Sequence, residues 1–246
     1  MKAAVISDIH ANLPALEAVL GAIDESSVDE IWCLGDAVGY GASPNECVRL
    51  LQQRCAVWLV GNHDLAALGQ IDISTFSPSA AEAALWTRNA LSEYSTGVLS
   101  GLGGQASGQR EGFGLYHASP RDPIWEYVVE TDLAEDCLNV QEYRVSLIGH
   151  SHIALYFTRV NEMSRITSEL APDGTQKSLV AGQWLINPGS VGQPRDRDRR
   201  AAWMALDTDS LTASFHRVEY PVEIAAEAIV EAGLPQHLAD RLFQGH

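Results

Sequence analysis

Positively charged residues are scarce in this chain of 246 residues. Lysine and arginine total 16 against 32 aspartates and glutamates, which gives a formal net charge of −16. Nucleic-acid duplexes and anionic membranes attract proteins through clustered basic side chains, so this balance argues against both as partners. A phosphorylated substrate would also be repelled, unless bound cations or local arginines reverse the field at its site.

Cysteines and long apolar runs are few as well. None of the 4 cysteines lies in a CxxC motif, so we expect reduced, buried thiols rather than disulfides or a zinc site. No window approaches the roughly 18 uninterrupted apolar residues of a membrane span. Asp8 and His10 interrupt the first apolar run, which argues against a signal peptide. We therefore expect a cytoplasmic protein.

What is present is the periodicity of an α/β chain. Up to residue 61, three apolar runs alternate with two helical patterns, and this order predicts parallel strands joined by right-handed crossovers. Residues 79–94 have the pattern of one amphipathic helix. The second half is richer in short β-biased runs with a hairpin turn at DTDS, and the tail from residue 222 predicts helices broken near Pro235. We expect one domain over residues 1–246 with two packed sheets.

Polar residues follow five of the predicted strands directly, at the edge where open α/β sheets bind ligands. Seven of them are candidate metal ligands: Asp8, His10, Asp36, Asn62, His117, His150 and His152. Carboxylates, imidazoles and one amide suit Mn²⁺, Fe²⁺, Zn²⁺ or Co²⁺ better than Ca²⁺. Seven ligands are too many for one ion and enough for two ions that share a bridging carboxylate. Any single residue of this set is more often a cap on a turn, so the hypothesis depends on the combination.

Two of these motifs place ligands two positions apart. Asp8 and His10 form one pair, and His150 and His152 form the other. In extended backbone such side chains point the same way, whereas on a helix they diverge. We therefore expect both pairs to lie in extended segments.

The motifs DxH at 8–10, GD at 35–36, GNHD at 61–64 and GHSH at 149–152, with His117 between them, resemble those of the calcineurin-like metallophosphoesterases. They occur in the family's order and span most of the chain. The longer agreement, through SDIHAN, GDAVGYG, HASP and NPGSVGQPR, is similar to a prokaryotic subgroup related to diadenosine tetraphosphatases and Ser/Thr protein phosphatases. The resemblance implies a four-layer α/β/β/α sandwich with two mixed β-sheets and a metal site at the strand ends.

The resemblance also implies how two divalent ions are bound, with Mn²⁺, Fe²⁺/Fe³⁺, Zn²⁺ and Co²⁺ as candidates. One ion takes Asp8, His10 and His152. The other takes Asn62, His117 and His150. Asp36 bridges the two.

By the same resemblance, the reaction is hydrolysis of a phosphomonoester, phosphodiester or dinucleoside polyphosphate by a metal-bound hydroxide. His63 protonates the leaving oxygen or stabilises its charge, and Asp64 orients or charges the His63 ring. The alternatives are structural: His63 as a helix cap or surface residue, and Asp64 as a carboxylate favoured at a helix N-terminus. The expected partner is a phosphorylated small molecule or nucleotide, and the oligomeric state is left open.

Substrate contacts are harder to assign. Arg195 is placed to bind a phosphate with two hydrogen bonds, but it belongs to RDRDRR at 195–200, which also has the composition of a self-neutralising loop. Tyr40 is a candidate to stack on a base, or simply to pack. Trp125 and Tyr127 suit the core, a pocket wall or a dimer surface. The NPGS turn at 187–190 either lies near the site or carries no chemistry.

A protein-interaction or regulatory module is the competing class of function, since a retromer subunit that serves as a scaffold resembles this fold. A scaffold need not keep both the bridging Asp36 and the non-ligand His63. This chain has both, which favours a hydrolase.

Overall fold

The backbone forms two six-stranded mixed sheets, seen in a computed structural model that describes residues 1–161 and 163–246. The strands are β1 Lys2–Ile6, β2 Glu30–Cys33, β3 Cys55–Trp58, β4 Ser107–Arg110, β5 Phe113–Tyr116, β6 Val145–Leu147, β7 Ala154–Arg159, β8 Thr167–Leu170, β9 Gln176–Ser178, β10 Gln183–Pro188, β11 Ala201–Asp207 and β12 Thr212–Val218. The helices are α1 Leu13–Asp24, α2 Pro44–Arg54, α3 Asn62–Ala67, α4 Pro78–Ala90, α5 Glu93–Gly101, α6 Thr131–Val140, α7 Val222–Glu231 and α8 Gln236–Gln244.

The two sheets bring parallel strand ends to the same edge of the fold. The first sheet has the order β3-β2-β1-β11-β12-β9, and its β1, β2 and β3 are parallel, as the crossover pattern predicts. The second has the order β4-β5-β6-β10-β7-β8, with β5, β6 and β10 parallel. Carboxyl ends of parallel strands lie together, so residues just after β1, β2, β3, β5 and β6 converge.

Strand residues alternate between two cores, which explains the layers. In β1, Ala3 and Val5 face a core between the sheets, whereas Ala4 and Ile6 face the helices outside the first sheet. A further core packs α6 against the outer face of the second sheet. The predicted α/β/β/α sandwich with two mixed sheets is thereby confirmed.

The helix predicted over residues 79–94 is wrong in its extent. The structure has α4 and α5 instead, with Leu91 in extended backbone at ψ 128° between them. The Ser92 side chain accepts a hydrogen bond from the Ser95 amide, so it begins a new helix where the apolar periodicity continues without a break. The short strands β4 (SGQR) and β9 (QKS) contain no apolar residue, so apolar patterning does not predict them.

Other expectations hold. The DTDS segment turns between the antiparallel β11 and β12, where the Asp207 carboxylate accepts from the amides of Asp209 and Ser210. The tail forms α7 and α8, separated at Pro235. The 4 cysteines are free thiols, although Cys55 is only half-buried. Among the described residues, no helix combines the length and apolar character needed to cross a membrane.

Candidate metal centre

The turns after the strands have left-handed backbone at five of the seven candidate ligands. The φ values are 54° at Asp8, 49° at His10, 53° at Asp36, 64° at His150 and 60° at His152. The prediction of extended backbone for both ligand pairs is therefore wrong. Residues other than glycine rarely adopt this left-handed conformation. The side chains converge because the chain turns sharply after each strand.

Backbone hydrogen bonds between neighbouring turns support this geometry. The amides of Asp8 and His10 donate to the carbonyls of Gly35 and Asp36, each at 3.0 Å. Such left-handed residues cost roughly 1–3 kcal/mol each, and they persist where the surroundings fix them.

The structure brings all seven candidate ligands together in two groups. Asp8, His10 and His152 form one, and Asp36, His117 and His150 form the other, with the ligand atoms of each group within 4.8 Å of one another. The Asn62 Oδ1 atom lies 3.2 Å from His117 Nε2, beside the second group. The first group has the three residues that the resemblance assigns to one ion, and the second contains His117 and His150, which it assigns to the other.

The proton positions on three of the histidines follow from their neighbours. The Nδ1 atoms of His10, His117 and His152 lie 3.1, 3.0 and 2.7 Å from the carbonyl oxygens of Val38, Leu34 and Gln193. A carbonyl oxygen only accepts, so each Nδ1 carries the proton and each Nε2 presents a lone pair. The Nε2 atoms of His10 and His152 then face each other at 3.0 Å. A metal ion between such lone pairs fits this arrangement.

Asp36 belongs to the second group and also faces the first. Its Oδ1 accepts from the His63 amide at 2.8 Å. Its Oδ2 is buried without a hydrogen-bond partner among the described residues, 3.6 Å from His10 Nε2 and 3.5 Å from His117 Nε2. A buried oxygen in this state costs about 1–3 kcal/mol or more. One atom facing both groups has the position of a bridging ligand.

Burial makes the neutral forms of these ligands favourable when no cation is present. It raises the pKa of Asp8 to about 7. Burial, with the charges of Asp64 and Asp8, raises the pKa of Asp36 well above its usual value. The pKa of His10 is lowered well below its usual value, again mainly by burial. Carboxylates that resist ionisation and imidazoles that stay neutral fit a site where a cation supplies the compensating charge.

His63 is held by packing rather than by a carboxylate. It is the second residue of α3, and its ring centroid lies 4.3 Å from that of Tyr40 and 5.0 Å from that of Phe76. A Cβ at Gly39 would be 2.6 Å from His63 Nδ1, so the glycine makes room for the ring. His63 Nδ1 is buried with no hydrogen-bond partner among the described residues. Burial, then the charge of Arg195, lowers the pKa of His63 to about 3.

Asp64 does not orient His63, contrary to the prediction. Its carboxylate accepts from the amides of Val38 and Gly61 at 3.1 and 3.0 Å. It therefore links the turn after β2 to the start of α3, which is the structural alternative for this residue.

The Arg195 side chain faces the metal centre and is not, among the described residues, one of the arginines of the 195–200 run that pair with an aspartate. Its Nη2 donates to Gln193 Oε1 at 2.9 Å, and its Nε is buried without a hydrogen-bond partner among the described residues. Its charge lowers the pKa of both His63 and His150. The later part of the run behaves as a self-neutralised loop, because Arg200 pairs with Asp198 at 2.7 Å.

Tyr40 is nearly buried beside the candidate ligands. It is 9% exposed, and its ring packs 4.7 Å from that of His10 as well as against His63. Burial raises the pKa of its hydroxyl. The Arg195 guanidinium also lies over the Tyr40 ring, 5.9 Å from its centroid. That Tyr40 stacks on a base stays a prediction.

The NPGS segment supports the ligand turns. Asn187 Nδ2 donates to the Gly149 carbonyl at 2.7 Å and to Ser151 Oγ at 2.9 Å, so it fixes the GHSH turn. Ser190 Oγ donates to the Asp8 carbonyl at 2.7 Å. Asn187 and Ser190 thus position ligands without being ligands.

Several residues near the site carried no clear sequence signal. Phe76 comes from the segment between α3 and α4 and contacts His63. Trp125 and Tyr127 are 40% and 38% exposed, which rules out the core as their place. Arg241 lies in α8, and burial, followed by the charge of Arg195, lowers its pKa.

Comparison with known proteins gives one family. Residues 1–210 match the model of the calcineurin-like phosphoesterase superfamily domain. An uncharacterised protein of Methanocaldococcus jannaschii is 38% identical over 98% of this chain and 97% of its own length. The crystal structure of a metallophosphoesterase from Sphaerobacter thermophilus is 38% identical with a TM-score of 0.90, covering 100% of this chain and 99% of that one.

A hypothetical protein from Pyrococcus horikoshii shares the fold, with 20% identity and a TM-score of 0.79 over 100% of this chain and 98% of its own. The family match, the two ligand groups and the similar metallophosphoesterase agree with the resemblance read from the motifs. The chain belongs to the calcineurin-like phosphoesterase superfamily.

Proposed function

We propose that this protein hydrolyses phosphoric esters at the centre between its two sheets, with two divalent ions chosen from Mn²⁺, Fe²⁺/Fe³⁺, Zn²⁺ and Co²⁺. The observation that carries the proposal is the buried Oδ2 of Asp36, which has no hydrogen-bond partner among the described residues and lies 3.6 Å from His10 Nε2 and 3.5 Å from His117 Nε2. When bound, such ions supply Lewis acidity, which promotes ionisation of water near neutral pH and neutralises phosphoryl charge. The substrate is a phosphorylated small molecule or nucleotide.

Arg195 gives an acidic protein a local positive charge for this substrate. Its buried Nε lacks a partner among the described residues, so a phosphoryl oxygen would satisfy a donor that is otherwise costly to bury. A guanidinium binds two oxygens at once, which orients the phosphoryl group as well as attracting it.

His63 stabilises the leaving oxygen, by donating a hydrogen bond rather than a proton. Burial and Arg195 hold the pKa of His63 at about 3, and nearby cations lower the pKa of an imidazole further. The ring is therefore neutral at pH 7. A neutral imidazole still donates a hydrogen bond to developing negative charge, which favours charge stabilisation over general-acid catalysis.

The test is hydrolysis of bis(p-nitrophenyl) phosphate and p-nitrophenyl phosphate by Mn²⁺-loaded protein. We expect turnover by the natural chain and its loss in Asp36→Asn. Asp72→Asn is the matched control, since Asp72 is exposed and, within the described part of the chain, hydrogen-bonds only to Ser74. If the protein binds the ions and turns over neither ester, the hydrolase proposal fails and a binding module replaces it.

A further inference from the structure

Aromatic side chains extend outward from His63 towards solvent. The Phe76 ring centroid lies 5.0 Å from that of His63, and the Trp125 ring centroid lies 5.7 Å from that of Phe76 at an interplanar angle of 83°. Phe76 is half-buried, while Trp125 is 40% exposed. Single exposed aromatics are common on proteins, but this pair is continuous with the proposed catalytic histidine. We call Phe76 and Trp125, whose rings are nearly perpendicular, the aromatic shelf.

The segment that carries Trp125 is fixed before any ligand binds. Asp122 Oδ1 accepts from the amides of Ile124 and Trp125 at 3.1 Å each, and Tyr127 donates to the Ser151 carbonyl at 2.8 Å. The segment is thus tied to the GHSH turn that carries two candidate ligands. Stacking on a preorganised indole costs little conformational entropy, so such a residue is suited to recognition.

The position of the aromatic shelf indicates which part of the substrate contacts it. His63 is proposed to contact the leaving oxygen, so Phe76 and Trp125 lie on the leaving-group side. A flat ring gains from packing on these faces, whereas a sugar alone or an alkyl group gains less. Trp125 lies one ring further out than Phe76. A ring bonded directly to the ester oxygen therefore meets Phe76 first, whereas a ring separated from it by a sugar reaches Trp125.

We propose that Phe76 and Trp125 bind a nucleobase on the leaving group, so that the substrates of this centre are nucleotides. The inference rests on the proposed hydrolase function and narrows its substrate class. An aryl ester also has a planar ring, but no sugar separates that ring from the ester oxygen. Hydrolysis of an aryl ester should therefore depend less on Trp125 than hydrolysis of a nucleotide.

The experiment uses two substrate pairs, and in each pair one member carries a nucleobase and the other does not. Adenosine 5′-monophosphate is compared with ribose 5-phosphate, and diadenosine tetraphosphate with inorganic tripolyphosphate, each with Mn²⁺-loaded full-length protein. We expect kcat/KM to favour the nucleoside member, and Trp125→Ala to lower that preference about 10-fold, mainly through KM. Trp125→Phe should restore most of it.

Tyr94→Ala is the control, because Tyr94 is an exposed aromatic on α5 that bonds to Gln52. Phenyl phosphate distinguishes an aryl ester from a nucleotide as the substrate. We expect its kcat/KM to fall more with Phe76→Leu than with Trp125→Ala. The reverse order would contradict the nucleobase assignment, as would equal kcat/KM within both substrate pairs.

Failure of this inference is distinguishable from failure of the hydrolase proposal. Activity on p-nitrophenyl esters with no preference for a base overturns only the nucleotide assignment. If no ester is turned over, calorimetric titration of the Mn²⁺-loaded protein with adenosine 5′-monophosphate and with ribose 5-phosphate still decides it. Equal affinities for the two, or a preference that Trp125→Ala leaves unchanged, would overturn it.

Discussion

The Nε2 atoms of His10 and His152 face each other at 3.0 Å, and neither has a proton to give to the other. Both Nδ1 atoms donate to backbone carbonyls, so two lone pairs meet across this gap. The residues are 142 positions apart in the chain, so the whole fold holds them in this contact. A cation relieves the repulsion, and the folded state therefore gains stability when it binds one.

Removal of metal should accordingly lower the melting temperature. At an ion concentration about 100 times Kd, binding stabilises a protein by about 2.7 kcal/mol. We expect protein treated with a chelator to melt several degrees lower than Mn²⁺-loaded protein, and Asp36→Asn to reduce the difference. Differential scanning calorimetry measures both. A melting temperature that does not change with Mn²⁺ would mean that the two groups are not a metal centre.

His63→Ala should lower kcat by about 100- to 1000-fold, the usual cost of losing one hydrogen-bond donor to developing charge. Metal content should stay unchanged, because His63 belongs to neither ligand group. Steady-state kinetics on bis(p-nitrophenyl) phosphate and elemental analysis test the two statements. His237→Ala, an exposed substitution on α8, is the control. A loss of bound metal in His63→Ala would assign His63 a structural role instead.

Arg195→Gln should lower kcat/KM by about 10- to 100-fold, since a hydrogen bond to a charged group contributes about 1.5–3 kcal/mol. Arg195→Lys should recover only part of this, because an ammonium lacks the fork that binds two oxygens. Arg199→Gln removes the same charge from an exposed position in the same run. If Arg199→Gln has an equal effect, net charge of the loop rather than contact by Arg195 explains the result.

The two groups of candidate ligands could be predicted from the sequence because each candidate lies next to a strand end, and strand ends are marked by apolar runs. The backbone that aims those ligands was not readable. Left-handed φ at Asp8 and His150 depends on hydrogen bonds to other turns, which local propensity does not contain. The two-residue spacing of the ligand pairs therefore predicted correctly that their side chains converge, although it predicted the wrong backbone conformation.

The same limit explains two other errors. Asp64 was expected to orient His63 because the residues are adjacent, yet its carboxylate satisfies the amides of Val38 and Gly61. Phe76 lies in an irregular segment between two helices, where periodicity carries no information about tertiary neighbours. Its contact with His63 is visible only once the chain is folded.

Gly61→Ala should destabilise the protein and weaken metal binding. A Cβ there would lie 2.0 Å from Asp36 Oδ1 and 2.5 Å from Asp36 Cγ, so the bridging carboxylate must move. Such overpacking costs about 1–3 kcal/mol. Gly97→Ala is the matched control, since a Cβ in that part of α5 meets nothing within 4 Å and alanine favours the helix by about 0.5–1 kcal/mol. Urea unfolding and Mn²⁺ titration measure both effects, and equal stabilities for the two variants would contradict the close contact.

Removing one partner of the buried ion pair between Asp196 and Arg217 should destabilise the protein far more than removing one partner of a surface pair. The side chains are only 6% and 3% exposed, and Asp196 Oδ2 also accepts from the Ala154 amide at 3.1 Å. Asp196→Asn leaves the Arg217 charge buried without its counter-ion, so we expect a loss of about 3–5 kcal/mol in the free energy of unfolding.

Arg54→Gln is the control for this prediction, because Arg54 pairs with an Asp24 side chain that is 60% exposed, and such pairs contribute about 0–1 kcal/mol. Urea denaturation measures the free energy of unfolding of Asp196→Asn and of Arg54→Gln. Asp196 directly follows Arg195, so its loss should also raise KM at urea concentrations where the protein stays folded. A large loss of stability with KM unchanged would mean that Gln193, rather than the anchored Asp196, is sufficient to position the Arg195 guanidinium.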